Sequence, residues 1–253
     1  LTINWRFGKV YANIEEFIMN ISWFSAGVSS FIATYLVRDE IDQILYTHID
    51  DQHSDSIRFI QDCSNALNKE IIILQNIYHK NVESVCRAFK FIKSPKGAKC
   101  TEKLKKEVRK YWEYENGKGH TYIWGLDCTE TGRAERIKEV MSNFQHRFPL
   151  IENNLTKEDA HGMCAKLGVK RPAMYDMGYH NNNCIGCLKG GMGYWNKIRK
   201  DFPDVFASRA KMERDVGHHC LKDYFLDELP LNVGRHEKPI TEDCSIACEL
   251  NLI

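Results

Sequence analysis

No apolar run in the chain approaches the roughly 18 residues that a bilayer-spanning helix needs, so no membrane segment is expected. The N-terminus has no basic stretch followed by an apolar one, so a secretory signal is not expected either, and the expected location is the cytoplasm. Charge of one sign is also missing: 35 basic side chains face 34 acidic ones, for a net charge of +1. That balance argues against non-specific adhesion to a nucleic acid backbone and leaves room only for a local basic patch. Internal repeats and low-complexity segments are absent. At 43% hydrophobic and 27% charged over 253 residues, the chain has enough apolar material for an ordinary core in one large domain, or in a domain with an appendage.

Cysteine, by contrast, is plentiful, with ten in the chain. Cys184 and Cys187 form C-x2-C, Cys244 and Cys248 form C-x3-C, and the rest stand singly. Without an export signal, close pairs read as metal ligands or redox groups rather than as a disulfide framework. Cys184-Ile185-Gly186-Cys187 has the form of a metal knuckle, because two thiolates at that spacing can share one ion and Gly186 permits the tight turn. Adding Cys244 and Cys248 gives four thiolates, a set suited to Zn²⁺ or to a [4Fe–4S] cluster. Chance pairing in a cysteine-rich chain is the alternative.

Residues 1–18 are set apart as an N-terminal extension without functional weight. From Met19 the pattern alternates. Strands are expected over residues 21–24, 43–49, 70–74, 121–126 and 147–151. Helices are expected from Phe31, from a Ser54 cap to about Leu67, over 82–91, 101–112 and 133–141, and from a Thr156 cap to Leu167. Strands separated by helices imply an α/β fold over residues 19–168, with a mostly parallel, doubly wound, Rossmann-like sheet that binds ligands at the carboxyl ends of its strands. Residues 169–253 form an irregular cysteine-rich region with helices near 194–199 and 203–216. Its tail from His218 has too little apolar patterning for a core of its own, so a metal staple is expected. Tyr175, Tyr179, Tyr194 and Trp195 read as packing residues. Lys103, Lys106, Arg109 and Lys110 read as a solvated helix face.

Between the first strand and the first helix lie Ser25, Ala26, Gly27, Val28, Ser29 and Ser30. Small residues let the backbone approach an anion, the helix start offers unpaired N–H groups and a partial positive charge, and three hydroxyls add donors. A plain tight turn would use the same residues. No G-K-[ST] follows, so this is not a Walker A loop.

The loop resembles the S-G-G-x-D-S signature of the PP-loop ATP pyrophosphatases. Ser25, Gly27 and Ser30 match, while Ala26 and Ser29 stand where that family usually has Gly and Asp, a departure that bears on Mg²⁺ positioning. Further pieces resemble the phosphoadenosine-phosphosulfate-reductase branch in order: Ile49-Asp50-Asp51, then His53-Ser54-Asp55 with Arg58, then Gly97 to Lys105 around Cys100, then Gly125-Leu126-Asp127 with Glu130, Arg133 and Arg136. The resemblance covers about residues 20–151 and then the cysteine region. It implies an adenine nucleotide, either ATP or a sulfonucleotide, on the loop with Asp50 beside the adenosine. It further implies Lys105, Arg133 and Arg136 meeting phosphate or sulfate charge, with Mg²⁺ as an accompanying ion. Two chemistries are implied: cleavage that adenylates a nucleic acid or small-molecule acceptor, or thiol attack on a sulfonucleotide with a thiol reductant as partner. A catalytically silent nucleotide-binding module is the third reading. In the reductases a lone cysteine near the C-terminus is the nucleophile. Cys244 falls there, but without the following Gly-His and with Cys248 nearby it reads as a ligand.

Overall fold

In the computed structural model the described residues are 18–95, 97–235, 238, 240 and 241. Five short strands, β1 (Asn20–Phe24), β2 (Gln43–Thr47), β3 (Ile71–Leu74), β4 (Thr121–Ile123) and β5 (Gln145–Arg147), form one sheet. Their spatial order is β3–β2–β1–β4–β5, and every neighbouring pair is parallel. The chain moves outward from β1 to β3 and then returns to the other side of β1. The order therefore reverses between β1 and β4, where ligands of such sheets bind.

The alternation of side chains along β1 explains why both faces are covered. Ile21 and Trp23 lie on one face with Leu45, Trp112 and Tyr122. Phe24 lies on the other, with Phe31 and Ile32 of α1 (Val28–Leu36) and Phe59 of α2 (Asp55–Leu67). Ser22 is buried on that second face, and its hydroxyl is satisfied by Thr34 Oγ1 at 2.7 Å.

The remaining long helices are α3 (Val82–Phe89), α4 (Glu107–Asn116), α5 (Thr131–Val140), α6 (Lys157–Lys166), α7 (Met192–Asp201) and α8 (Pro203–Val216). Thr156 caps α6 as expected, in a reciprocal box with Asp159. Three expectations need correction. Ser54 makes no capping bond, because its backbone is already helical and the Asp55 N–H goes to His53 Nδ1 instead. Residues 147–151 are not one strand: β5 ends at Arg147 and Pro149 opens a helical turn, where its preset φ is favourable and its missing N–H costs nothing. The helix expected from Thr101 begins at Lys99 after a small hairpin, Lys93–Ser94 with Gly97–Ala98, and carries a π turn at Glu102–Lys106 before α4.

The described part of the cysteine-rich region is held by its own packing and hydrogen bonds. Trp195, Ile198 and Met212 share a core with Val85 and Leu104 of the preceding region. Glu213, fully buried, accepts from the backbone N–H groups of Cys220 and Leu226. Arg199 donates to the carbonyls of Leu226 and Leu229, and Asn196 to those of Pro230 and Val233. These bonds fasten the chain after His218 by ordinary polar pairing. Among the described residues no helix is long and apolar enough to cross a membrane.

Candidate functional site

The carboxyl end of β1 runs into Ser25, and Gly27 is the residue before α1. The bond from Phe31 N–H to the Gly27 carbonyl (3.1 Å) is the first of the helix, so the N–H groups of Val28, Ser29 and Ser30 have no helical partner. Ala26 adopts φ +56°, the left-handed region that costs any residue but glycine roughly 1 kcal/mol. This is the position where the resembled signature carries Gly. The strained peptide is clamped: Asn182 Nδ2 donates to the Ala26 carbonyl at 2.7 Å and to Ser56 Oγ at 3.0 Å. Ser30 closes the loop from inside. Its hydroxyl accepts from Ser25 N–H (3.1 Å) and Ser25 Oγ (3.0 Å) and donates to the Gly27 carbonyl (2.8 Å).

Two further residues fix the helix start. Gly125 follows β4, and a Cβ there would sit 2.4 Å from Ser30 Cα and 2.6 Å from Ser30 N, so only glycine allows this approach. The Tyr175 hydroxyl accepts from the backbone N–H groups of Val28 and Asn182, and burial pushes its pKa up to about 12. Behind it lies His161, with its ring 4.5 Å from that of Tyr175. Burial holds the imidazole down to about 3, reinforced by the charges of Arg171 and Lys157, and neither ring nitrogen has a hydrogen-bond partner. Ser29 Oγ and Asn182 Oδ1 are also buried without partners. A buried polar atom left open costs on the order of 1–3 kcal/mol, and four such atoms, on three residues, lie near this helix start.

The thiol turn is anchored to the same edge of the sheet. Ile185 N–H donates to the Asp51 carbonyl at 2.8 Å. Gly186 takes φ +70°, as the tight turn requires, and Tyr194 Oη bridges the Cys187 N–H (2.9 Å) and the Cys184 carbonyl (3.2 Å). Burial pushes the Cys184 thiol up to about 12; the Lys105 ammonium opposes this shift, while Asp51, Cys187 and Cys100 add to it. Cys100 is likewise raised by burial and then by Cys187. Three thiols and Lys105 therefore share one neighbourhood. Among the described residues, however, no group of three or more His, Cys, Asp or Glu side chains is arranged to hold a metal. Cys244 and Cys248 lie outside the described residues. The fit to a four-thiolate centre is thus partial, a dithiol turn with one further thiol close by.

The acids after β2 divide their work. Asp50 faces outward, accepting from Gln75 Nε2 at 2.7 Å and standing 3.5 Å from His48 Nε2. Asp51 is structural: it accepts from the Val82 N–H at 2.6 Å and pairs with Arg209, which also binds Glu83. Arg133 and Arg136 sit on the exposed face of α5 with local partners, Glu130 Oε1 (2.8 Å) and the Gly132 carbonyl (3.3 Å). The structure thus groups the loop, the thiol turn and Lys105 at the carboxyl ends of β1 and β2, while the two arginines bond within their own helical segment.

Sequence reasoning passed over His161, the bracing roles of Asn182 and of Tyr175, which reads only as a packing residue, and the steric role of Gly125. Asn182 and Tyr175 act on Ala26 and Val28 across more than a hundred residues of chain, while His161 packs on Tyr175, and only the run of asparagines before Cys184 offered a local signal.

No family model matches the chain, and no curated protein matches it in sequence. Among solved structures it is similar to phosphoadenylyl-sulfate (PAPS) reductase from Candida auris, in a phosphate complex. The TM-score is 0.44 and the sequence identity 11%, covering 63% of this chain and 78% of that one.

Proposed function

We propose that the chain is an enzyme that binds an adenine nucleotide, ATP or a sulfonucleotide, with its phosphates on Ser25, Ala26, Gly27, Val28, Ser29 and Ser30. It acts at the phosphate or sulfate, in sulfur transfer or sulfur metabolism. The observation that carries this reading is the start of α1: N–H groups without helical partners, at the point where the strand order reverses, beside a buried Ser29 hydroxyl with no partner. The helix terminus supplies partial positive charge, and Lys105 supplies a full one near the thiols. Asp50 stands beside the adenosine, and Arg133 and Arg136 approach the nucleotide or its acceptor from α5. Cys184 and Cys187 are the firm half of a thiolate centre, zinc or [4Fe–4S], completed from Cys100, Cys244 and Cys248.

Binding is tested by titrating ATP and a sulfonucleotide against the parent and Gly27→Val. A side chain at Gly27 would press on the Tyr175 hydroxyl, 3.2 Å from the new Cβ, and on Ser25 Oγ at 3.4 Å. Affinity should fall at least about ten-fold with the circular dichroism unchanged. Equal affinity in a folded variant overturns the reading. Pyrophosphate release from ATP identifies acceptor adenylation, sulfite release from the sulfonucleotide identifies thiol attack, and binding without either identifies a silent module.

A further inference from the structure

Charge is distributed unevenly along this nearly neutral chain. Between residues 80 and 110 there are eleven basic side chains and three acidic ones, against a net charge of +1 for the whole chain. The same stretch and its neighbours expose aromatic rings. Tyr78 is 83% exposed, Tyr114 79%, Tyr111 47% and Phe89 41%. Large rings left in water on one face call for an explanation that single scattered ones do not.

These groups are contiguous. Tyr78 and Tyr114 both act electrostatically on Tyr111, whose hydroxyl bonds Glu115. Asn76 Nδ2 donates to the Lys103 carbonyl at 2.9 Å, tying the Tyr78 loop to the π turn. Lys99 Nζ and Lys103 Nζ stand 5.0 and 4.7 Å from the centroid of Phe89. Phe89 continues into a pocket of about 590 Å³ whose lining includes Phe91, Lys99, Lys106 and Lys189. Lys189 acts on Cys100, so the track leads from open aromatic rings to the thiol neighbourhood. Three acids lie on this face: Glu102 is paired with Lys99 at 2.8 Å, Glu107 with Lys103, and Glu115 bonds the Tyr111 hydroxyl. The expectation of an inert solvated helix face for Lys103 and Lys106 does not explain the exposed rings between the lysines.

We propose that this face is a binding surface for single-stranded nucleic acid, with bases stacking on Tyr78, Tyr114 and Phe89 and the backbone phosphates tracking the lysines. Aromatic platforms interleaved with cations suit unpaired bases, whose π faces are accessible, better than a duplex, whose bases are already stacked. The surface would deliver an acceptor base towards Lys189 and the thiols. Binding itself does not depend on the nucleotide loop, whereas the acceptor role rests on the function proposed above.

The test is fluorescence anisotropy with labelled oligo(dT) and oligo(U) of about 20 nucleotides, a duplex of equal length and polyglutamate as probes, in about 50 mM salt. Saturable binding of either single strand is expected, tighter than for duplex or polyglutamate and weakening with added salt. The two single-stranded arms decide between DNA and RNA. Tyr78→Ala and Tyr114→Ala should each weaken binding by about five-fold or more, with unchanged thermal stability because both rings are exposed. Lys99→Gln with Lys106→Gln should flatten the salt dependence. Gly27→Val should bind the oligonucleotide like the parent, so failure of the loop and failure of this surface are separable. No saturable single-strand binding, equal affinity for polyglutamate or duplex, or full affinity in Tyr78→Ala/Tyr114→Ala would overturn the proposal.

Discussion

Two buried polar clusters sit at the carboxyl edge of the sheet, and they are built in opposite ways. Around Arg209, 3% exposed, charges are paired: the guanidinium binds Asp51 and Glu83, Asp51 also takes the Val82 N–H, and only Arg209 Nε is left open. Burial works against the charge of Arg209, but the two carboxylates outweigh it and its pKa is raised. Around the start of α1 the reverse holds, with Ser29 Oγ, Asn182 Oδ1 and both nitrogens of His161 lacking partners. A cluster whose valences are closed needs nothing further and serves to hold elements together. One whose valences stay open is where the proposed nucleotide, or ordered water, would find partners.

The largest effect should come from breaking the closed cluster. Arg209→Met leaves Asp51 and Glu83 facing an uncharged side chain and should cost about 3–5 kcal/mol of unfolding free energy. Because Gly186 of the thiol turn packs on the Arg209 stem, with a Cβ there only 3.3 Å from Arg209 Cγ, that turn should loosen too. Urea unfolding measures the first effect and thiol labelling of Cys184 and Cys187 the second. A variant as stable as the parent would remove the distinction between the clusters.

Next in size is Gly125→Ala. The new methyl would overlap the Ser30 backbone at 2.4 Å, so β4 and α1 must separate, at a cost of about 2–3 kcal/mol. Gly132→Ala is the control, since nothing lies within 4 Å of a Cβ there and it lies on α5, where alanine should gain up to about 1 kcal/mol. Thermal melts of the two variants should therefore move in opposite directions.

What could be read in advance divides along the same line. The run Asn20–Phe24 followed by small residues and then α1 was legible, because a strand, a tight loop of small residues and a helix start are all local patterns. So were the cap at Thr156 and the Gly186 turn between two cysteines. The false strand over 147–151 came from weighing apolar content above Pro149, whose backbone geometry decides in favour of a helical turn. Ser54 misled because a capping residue type does not cap when its own backbone is helical. The braces of the loop were not legible: Asn182 reaches Ala26 across 156 residues, and no periodicity announces such a bond. The closed cluster was equally hidden, since Asp51 and Arg209 meet across 158 residues.

A smaller effect tests whether His161 is truly unpartnered. Its pKa is lowered by burial from about 6.5 to about 3, so the unfolded chain takes up a proton at mildly acidic pH that the folded chain refuses. Stability should therefore be complete above about pH 6.5 and fall as the pH drops from there towards 3. At pH 5 the loss from this one group is about 1–2 kcal/mol. His161→Leu removes the group without breaking a hydrogen bond, so its stability profile should be flatter between pH 6.5 and 5 than that of the parent. If the two profiles run parallel, the imidazole has company in solution and belongs with the closed cluster.

The smallest effect is the sharpest, because two adjacent serines should respond with opposite signs. Ser30 Oγ is closed, accepting two hydrogen bonds from Ser25 and donating one to the Gly27 carbonyl, so Ser30→Ala should cost about 1 kcal/mol of stability without ligand. Ser29 Oγ is buried and open, so Ser29→Ala removes an unsatisfied oxygen and should leave the free protein as stable as the parent, or more stable by up to about 1 kcal/mol. Adding ATP or a sulfonucleotide should invert the ranking for Ser29. If that hydroxyl meets a phosphate, the stabilisation conferred by nucleotide will be smaller in Ser29→Ala than in the parent, by an amount set by its weaker affinity. Melting each variant with and without nucleotide measures all four quantities. A Ser29→Ala protein that is destabilised when free, yet gains full stability from nucleotide, would show that Ser29 is a structural hydroxyl like its neighbour. The open valences at the start of α1 would then be no guide to where the ligand sits.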